Sequence, residues 1–140
     1  MDELLVRDVV TWNALISGYT QNKQGDLALE CFDRMRNEGL SPDLVTFTCI
    51  FNACGSTGSI DKGKSLHDEI VMIGGLLEKS VILGNALVDM YAKCCLLAKA
   101  QEVLIGLPIR DVISWNSVIV GYAQQGQGEE ALNCFEEMQK

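Results

Sequence analysis

The chain has 140 residues, of which 48% are hydrophobic and 21% charged, and its formal net charge is −8. This composition excludes intrinsic disorder, and no stretch approaches the roughly 18 uncharged apolar residues that a membrane span needs. The acidic balance argues against sequence-independent binding to nucleic acid, which relies on Lys and Arg neutralising phosphates. We therefore expect one compact domain or a stack of small units, with no membrane contact.

The chain opens with MDELLVRD, which has two acidic residues among its first three and lacks the apolar core of a signal peptide. This stretch is also not rich in Arg and Ser, as a transit peptide would be, so no targeting segment is expected here. LLVRDVV is parallel to GLPIRDVI at residues 106–113. Residues 1–8 are therefore predicted to be the tail of a preceding repeat.

The chain repeats itself. When residues 9–35 are aligned with residues 112–138, 14 of 27 positions are identical, and Trp12 and Trp115 are among them. Chance does not produce such a match, and self-similarity at a fixed spacing is typical of repeat proteins.

Two weaker copies lie between these segments. NALVDMYAK at residues 85–93 copies NALISGYTQ, and VTFTCIFNAC at residues 45–54 copies VTWNALISGY. The copies predict four units, the last of them incomplete, which span residues 9–43, 44–80, 81–111 and 112–140.

Each unit is predicted to form two helices. The apolar faces of the first unit consist of Trp12, Leu15, Ile16 and Tyr19 and of Leu29, Phe32 and Met35. The stretch NKQGD separates the two helices, Asp26 is placed to cap the second helix, and Gly39 and Pro42 end it. Since a helix pair of about 35 residues cannot bury its apolar face alone, the units must stack. The sequence thus predicts an all-α fold, an α-solenoid of helix-turn-helix repeats.

The second helix of every unit has a small residue at one position: Ala28, Gly63, Ala100 and Ala131. Alanine is a good helix former, but glycine costs about 1 kcal/mol in a helix interior. Gly63 therefore indicates close packing against a neighbouring helix.

The first unit, VVTWNALISGYTQNKQGDLALECFDRMRNEGLSPD, resembles a standard pentatricopeptide repeat over its full length. LVTFTCIFNACGSTGSIDKGKSLHDEIV resembles the long type of this repeat, VILGNALVDMYAKC the short type, and VISWNSVIVGYAQQGQGEEALNCFEEM a second standard unit. The order is similar to that of the plant subclass in which standard, long and short repeats alternate. The pattern W-x₂-L-G-x₂-Y of tetratricopeptide repeats is absent.

This resemblance implies that the chain binds single-stranded RNA with one base per repeat. In the family, the fifth and last residues of a unit read the base, and the second residue sandwiches it. The implied reading residues are Asn13 with Asp43, Thr48 with Ser80, Asn85 with Asp111, and Asn116 without a partner. The implied sandwiching residues are Val10, Val45, Ile82 and Ile113. Asn with Asp favours uracil, so the expected order from 5′ to 3′ is U, an unassigned base, U and a pyrimidine.

The chemistry of asparagine agrees with this role, since its amide offers both a donor and an acceptor to a base edge. The alternative is that Asn13 and its copies are solvent-exposed polar residues near helix N-termini. Recurrence in three units, twice with an Asp at the end of the unit, favours base reading.

The resemblance further implies a role in organellar RNA editing, splicing or stability, in a mitochondrion or chloroplast, with editing or processing proteins as possible partners. We expect weak and salt-sensitive RNA binding by this chain. We expect no enzymatic activity, cofactor or small-molecule substrate. The alternatives are a protein-interaction scaffold, which the charge of −8 favours, and a truncated product without function.

Cysteine spacing argues against a metal site. Cys31, Cys49, Cys54, Cys94, Cys95 and Cys134 form no CxxC pair, and His67 is the chain's one histidine. We expect reduced cysteines and a packed or surface His67. The short repeat usually has glycine where Cys95 stands, so a lengthened or distorted turn is expected there. Trp12 and Trp115 are expected to pack in the core and not to stack on bases.

Overall fold

The computed structural model describes residues 8–140, so the predicted tail of a preceding repeat lies outside the described residues apart from Asp8. Within residues 8–140 the chain forms nine helices and no strand. These are α1 (Val9–Gln21), α2 (Gly25–Asn37), α3 (Leu44–Thr57), α4 (Ile60–Ile73), α5 (Leu76–Lys79), α6 (Val81–Lys93), α7 (Leu97–Gly106), α8 (Val112–Gln124) and α9 (Gly128–Met138). The predicted all-α repeat fold is confirmed. None of these helices combines the length and apolarity that crossing a membrane would require.

The helices form stacked pairs. The four predicted unit starts are the first residues of α1, α3, α6 and α8, which are called the first helices below. The second helices are α2, α4, α7 and α9. Each first helix packs against its own second helix, and α1, α3 and α6 also pack against the next first helix along the chain. The short helix α5 was not predicted from the sequence, and it occupies the extra residues of the long unit after Gly74 and Gly75, which both have positive φ.

Side-chain caps explain why the first helices begin where they do. The residue before each of these helices accepts a hydrogen bond from the backbone N–H three positions later. These caps are Asp8, Asp43, Ser80 and Asp111. Such a cap satisfies one of the free N–H groups at a helix N-terminus. The second helices have no side-chain cap, and Asp26 lies in the first turn of α2 without capping it.

The core lies between the two layers of helices. Trp12, Ile16, Phe32 and Met35 are buried there, as the helical spacing predicts. Leu15 differs, because it is 42% exposed. Its equivalents Ile50, Leu87 and Val118 are fully buried. Each of those three lies in a helix that packs on a preceding pair, whereas Leu15 lies in the first pair of the described residues.

Gly63 allows close packing, as predicted. A Cβ atom at this position would lie 2.3 Å from Sδ of Met90 in α6. Ala28 and Ala100, at the equivalent position, are completely buried. A small residue here lets the second helix approach the first helices.

The turns between the paired helices share one backbone conformation. Lys23, Gly58, Cys95 and Gly126 occupy equivalent positions, and their φ angles are 61°, 75°, 63° and 75°. The expected distortion at Cys95 is therefore wrong. The turn keeps the geometry of its glycine counterparts, and Cys95 adopts a left-handed conformation that disfavours any side chain.

Replacing Cys95 by glycine should stabilise the chain, because glycine adopts a positive φ without steric cost. The greater freedom of glycine in the unfolded chain offsets part of the gain, so we expect about 0.5–1 kcal/mol in the free energy of unfolding. Urea unfolding followed by circular dichroism measures this change.

Gly126→Ala is the matched control. A Cβ atom at Gly126 would meet nothing within 4 Å, so any loss of stability there reports backbone strain alone. If Cys95→Gly lowers the unfolding midpoint, or Gly126→Ala leaves it unchanged, the strain argument is wrong.

Candidate nucleic-acid interface

A row of exposed β-branched side chains runs across the first helices. The second residue of each helix lies two positions before a core residue such as Trp12 and therefore faces away from the core. These side chains are between 54% and 74% exposed, and they are Val10, Val45, Ile82 and Ile113. They are the four predicted sandwiching residues. The exposed side of α1, α3, α6 and α8 that carries them is called the first-helix face below.

Asn13 lies at the junction between the first and second pairs. Its Nδ2 donates to Oδ1 of Asp43, the cap of α3, at 2.9 Å. Its Oδ1 accepts a hydrogen bond from the hydroxyl of Thr46, which is completely buried. Asn13 is only 7% exposed, so it is not the solvated polar residue of the alternative interpretation. Its amide instead joins one helix pair to the next.

The junction between the third and fourth pairs repeats this arrangement. Nδ2 of Asn85 donates to Oδ2 of Asp111 at 3.2 Å, and the hydroxyl of Ser114 donates to Oδ1 of Asn85. Ser114 is completely buried, as Thr46 is. Two of the predicted reading pairs are therefore hydrogen-bonded pairs.

The middle junction is different. The hydroxyl of Thr48 donates to the carbonyl of Leu44 in its own helix at 2.8 Å, and Ser80 accepts from the backbone N–H of Leu83 at 3.1 Å. No hydrogen bond joins Thr48 to Ser80 in the described part of the chain. These two predicted reading residues are thus not brought together, and the buried apolar Leu83 takes the place of the hydroxyl residue.

Asn116 is exposed, and the predicted fourth unit contains no closing residue to pair with it. Its surroundings differ from those of Asn13 because, within the described residues, no helix pair follows the one that contains α8. Phe135 in α9 is likewise exposed, whereas its equivalent Phe32 is buried under the next pair.

A groove of about 290 Å³ lies between Ile82 and Ile113. The side chain of Asn85 lines it, together with Thr48 and Asp89. A predicted reading residue therefore lies between two predicted sandwiching residues, inside a space that opens on the first-helix face.

The first helices carry almost no charge. The sequences of α1, α3 and α8 contain no charged residue. In α6, Lys93 and Asp89 form an ion pair at 3.0 Å. The acidic residues are concentrated elsewhere, for example the four glutamates of α9. The net charge of −8 therefore does not describe the first-helix face.

The carboxyl group of Asp43 has a lowered pKa. Burial alone would raise it, but hydrogen bonds from the backbone N–H of Thr46 and from the amide of Asn13 stabilise the charged form and determine the net direction. Asp43 is therefore ionised at neutral pH, and its oxygens act only as acceptors.

The histidine, tryptophan and cysteine residues noted in the sequence lie outside the candidate site. Nδ1 of His67 lies 2.7 Å from the hydroxyl of Tyr91, and burial lowers the pKa of the imidazole. Trp12 and Trp115 are buried in the core, as predicted. The six cysteines are free. In residues 8–140 no group of His, Cys, Asp and Glu side chains could hold a metal ion.

Two residues of the candidate site were not identified from the sequence, Thr46 and Ser114. The signal was available, since Asp43 and Asp111 each have a hydroxyl residue three positions later. That spacing is typical of a helix cap, so it gave no reason to expect a contact with an asparagine of the preceding unit.

Comparison with known proteins identifies related chains. The profile of the PPR (pentatricopeptide) repeat family matches residues 7–56, and that of the PPR repeat matches residues 45–75 and 113–140. Two pentatricopeptide repeat-containing proteins of Arabidopsis thaliana, the second of them named as mitochondrial, are each 40% identical to the chain, over 140 and 137 residues. These alignments cover 99% and 98% of this chain but only 16% and 21% of those proteins.

Solved structures show the same fold. The crystal structure of the pentatricopeptide repeat protein PPR10 in complex with an 18-nt psaJ RNA element matches with a TM-score of 0.75 and 22% identity. The match covers 95% of this chain and 20% of that chain. PPR10 from maize matches with a TM-score of 0.67 over 94% of this chain and 19% of that chain, at 22% identity.

Asp43→Asn should remove a pH-dependent part of the stability. Since the folded pKa is lowered, ionised Asp43 stabilises the fold fully above the unfolded value of about 3.9 and loses this effect as pH falls through the folded pKa. Wild type should exceed the variant in stability at pH 7, and the difference should be smaller at about pH 3, below the unfolded value. Solvent screening of the exposed carboxylate keeps the difference small, about 0.5 kcal/mol.

Urea unfolding of both proteins at the two pH values measures this difference. Glu30→Gln serves as the control, because Glu30 is an exposed residue in the middle of α2. A difference between wild type and Asp43→Asn that is equal at both pH values would contradict the role assigned to the charge.

Proposed function

The chain belongs to the pentatricopeptide repeat family, and we propose that it binds single-stranded RNA along its first-helix face, with one base for each helix pair. One observation carries this proposal. An asparagine and a capping aspartate form a hydrogen-bonded pair at two junctions, in each case beside exposed β-branched side chains. Packing alone does not require large apolar side chains to face solvent in a row.

The donors and acceptors of the first pair suit uracil. One N–H of Asn13 is used by Asp43, which leaves the other N–H as a donor, while the carboxylate of Asp43 offers further acceptor positions. Uracil has an acceptor oxygen next to the N3–H donor and is complementary to both groups. Cytosine has an unprotonated N3, which would face the carboxylate unfavourably. The same reasoning applies to Asn85 and Asp111.

The β-branched residues complete the pocket. Ile82 and Ile113 flank the groove that Asn85 lines, so a base in this groove would contact apolar groups on both faces. Stacking supports affinity for any base, whereas the polar pair supplies selectivity. We propose that Val10 and Val45 also sandwich bases and that Thr48, Ser80 and Asn116 are further reading positions. We assign no base to the middle junction.

The charge distribution is compatible with this mode of binding. A neutral face reads base edges without repelling the phosphates, although it attracts them weakly. Lys23 and Lys93 lie at one edge of this face, around a common groove. Each phosphate contact to a single strand contributes about −0.7 to the slope of log affinity against log salt. We therefore propose weak binding with a modest dependence on salt.

The biological process is proposed from the relatives. The chain spans about a fifth of their length, and some of them are named as mitochondrial. PPR10 is crystallised with a single RNA element. We propose a binding role without enzymatic activity in organellar RNA editing, splicing or stability, in which partner proteins or other domains supply any chemistry.

Asn13→Thr should shift base preference at the first position from U toward G. The probes are 5′-UAUU-3′ and 5′-GAUU-3′, and the dissociation constants come from chemical-shift titration of the ¹⁵N-labelled chain, which measures weak binding. Loss of one base-edge hydrogen bond predicts about a fivefold fall in the ratio of affinities for the two probes. Asn37→Thr, the same change on α2, should leave the ratio unchanged.

Equal ratios for wild type and Asn13→Thr would contradict base reading. If neither probe shifts any resonance of the first-helix face, the chain does not bind RNA there. That result would favour the second candidate function, a protein-interaction scaffold, which the four glutamates of α9 and the exposed Val71, Met72 and Ile73 support.

A further inference from the structure

We propose that Thr46 and Ser114 are positioning residues, whose hydroxyl groups determine which way the amide of the preceding asparagine faces and thereby its choice of base. This inference rests on the proposed function. Neither hydroxyl group is exposed, since both residues are completely buried. They would act through Asn13 and Asn85 and would not touch RNA.

A reading asparagine needs a fixed orientation. Rotation of the terminal amide by 180° exchanges its donor and acceptor, and the two orientations have nearly the same shape. An asparagine that can present either its N–H or its C=O to the RNA would bind a base acceptor and a base donor equally well. Selectivity for uracil therefore requires that something inside the protein distinguish N from O.

Asp43 supplies half of this distinction. Its ionised carboxylate accepts from Nδ2 of Asn13 at 2.9 Å, and the rotated amide would place an oxygen against it. The second partner of the amide is the hydroxyl group of Thr46, which bonds to the amide oxygen. A hydroxyl group could by itself either donate or accept.

Thr46 is held as a donor by the backbone. Its Oγ1 accepts from the N–H of Asp43 at 3.1 Å, so its proton is free to point elsewhere. Oγ1 also lies 3.0 Å from Oδ1 of Asp43. That oxygen already accepts from the backbone N–H of Thr46 and from Asn13, so the amide oxygen of Asn13 is the acceptor that needs the proton.

The result is a closed ring of hydrogen bonds: from Asp43 N–H to Thr46, from Thr46 to Asn13, and from Asn13 back to the carboxylate of Asp43. Each bond in such a ring polarises the next. Because Thr46 is buried, no water can substitute for its hydroxyl. The outward-facing group of Asn13 is then its second N–H, the donor that a pyrimidine oxygen requires.

The other junctions support a link between the hydroxyl and the reader. Ser114 makes the equivalent bond to Asn85. At the middle junction, where Thr48 stands in place of asparagine, the corresponding residue is Leu83. The buried hydroxyl thus occurs at the two junctions that contain an Asn–Asp pair and is absent from the one that does not.

Thr46→Val tests the inference, because valine keeps the shape and removes the donor. The probes are 5′-UAUU-3′ and 5′-CAUU-3′, titrated against the ¹⁵N-labelled 140-residue chain. Wild type should prefer U, and Thr46→Val should reduce this preference about fivefold, the effect of one lost hydrogen bond. Thr46→Ser should restore it. In the free chain, the side-chain amide protons of Asn13 should exchange faster in the valine variant.

Two further variants keep the test decisive. Ser114→Ala, a milder change, should reduce the preference for 5′-UAUU-3′ over 5′-UACU-3′ at the third position alone. Thr57→Val is the control, because its hydroxyl donates within α3 to the carbonyl of Ala53, and it should leave every ratio unchanged.

The outcomes separate the two proposals. If wild type distinguishes U from C and both Thr46→Val and Ser114→Ala still do so, the positioning role is wrong although the chain reads bases. An equal loss of affinity for both probes would show a purely structural role and would also overturn the inference. If wild type binds neither probe, the proposed function fails and takes this inference with it.

Discussion

The capping carboxylate at the junction between helix pairs connects the fold of this chain to its candidate site. Asp43 satisfies a backbone N–H at the start of α3 and also accepts from Asn13 of the preceding pair. A helix N-terminus without such a cap would lose about 1 kcal/mol of stability, so the residue contributes to the fold apart from any role in binding. Because the same group contacts the previous helix, it fixes the register between neighbouring pairs. The spacing of the predicted reading asparagines along the first-helix face follows from that register.

The asparagine consequently serves the scaffold as well as the proposed reading of bases. On the sequence alone, Trp12 and the apolar spacing explain folding and Asn13 stands apart as a reader. In the structure, Asn13 is nearly buried and forms the polar part of the interface between two pairs. Substitution at this position is therefore expected to alter stability together with base preference. At the middle junction stability and base preference are not linked in this way. The hydroxyl of Thr48 bonds to the carbonyl of Leu44, and that of Ser80 accepts from the N–H of Leu83, so each contact lies within a few residues along the chain.

Much of the fold follows from local chemistry that the sequence displays. The repeated apolar spacing places Ile16, Phe32 and Met35 in the core, and the space required at Gly63 is visible as a glycine inside a helix. Helix α5 was not predicted, because four residues between positive-φ glycines and a strong cap have no periodicity to recognise. The turn at Cys95 was mispredicted, because the stacking of the flanking helices imposes a conformation that the residue itself disfavours.

The candidate site was less accessible to sequence reasoning, because its polar contacts join residues about 30 positions apart. The exposed β-branched row could be located from its position in each unit, but the burial of Asn13 and the role of Thr46 depend on how the pairs stack. Net charge was the most misleading quantity. The value of −8 is a sum over the whole chain. The first helices contribute nothing to it, because their two charged residues, Asp89 and Lys93, form an ion pair. Since a base reader requires neutral polar groups at one surface and the solenoid can carry its charge on the other, the distribution of charge across the layers is the property that bears on RNA binding.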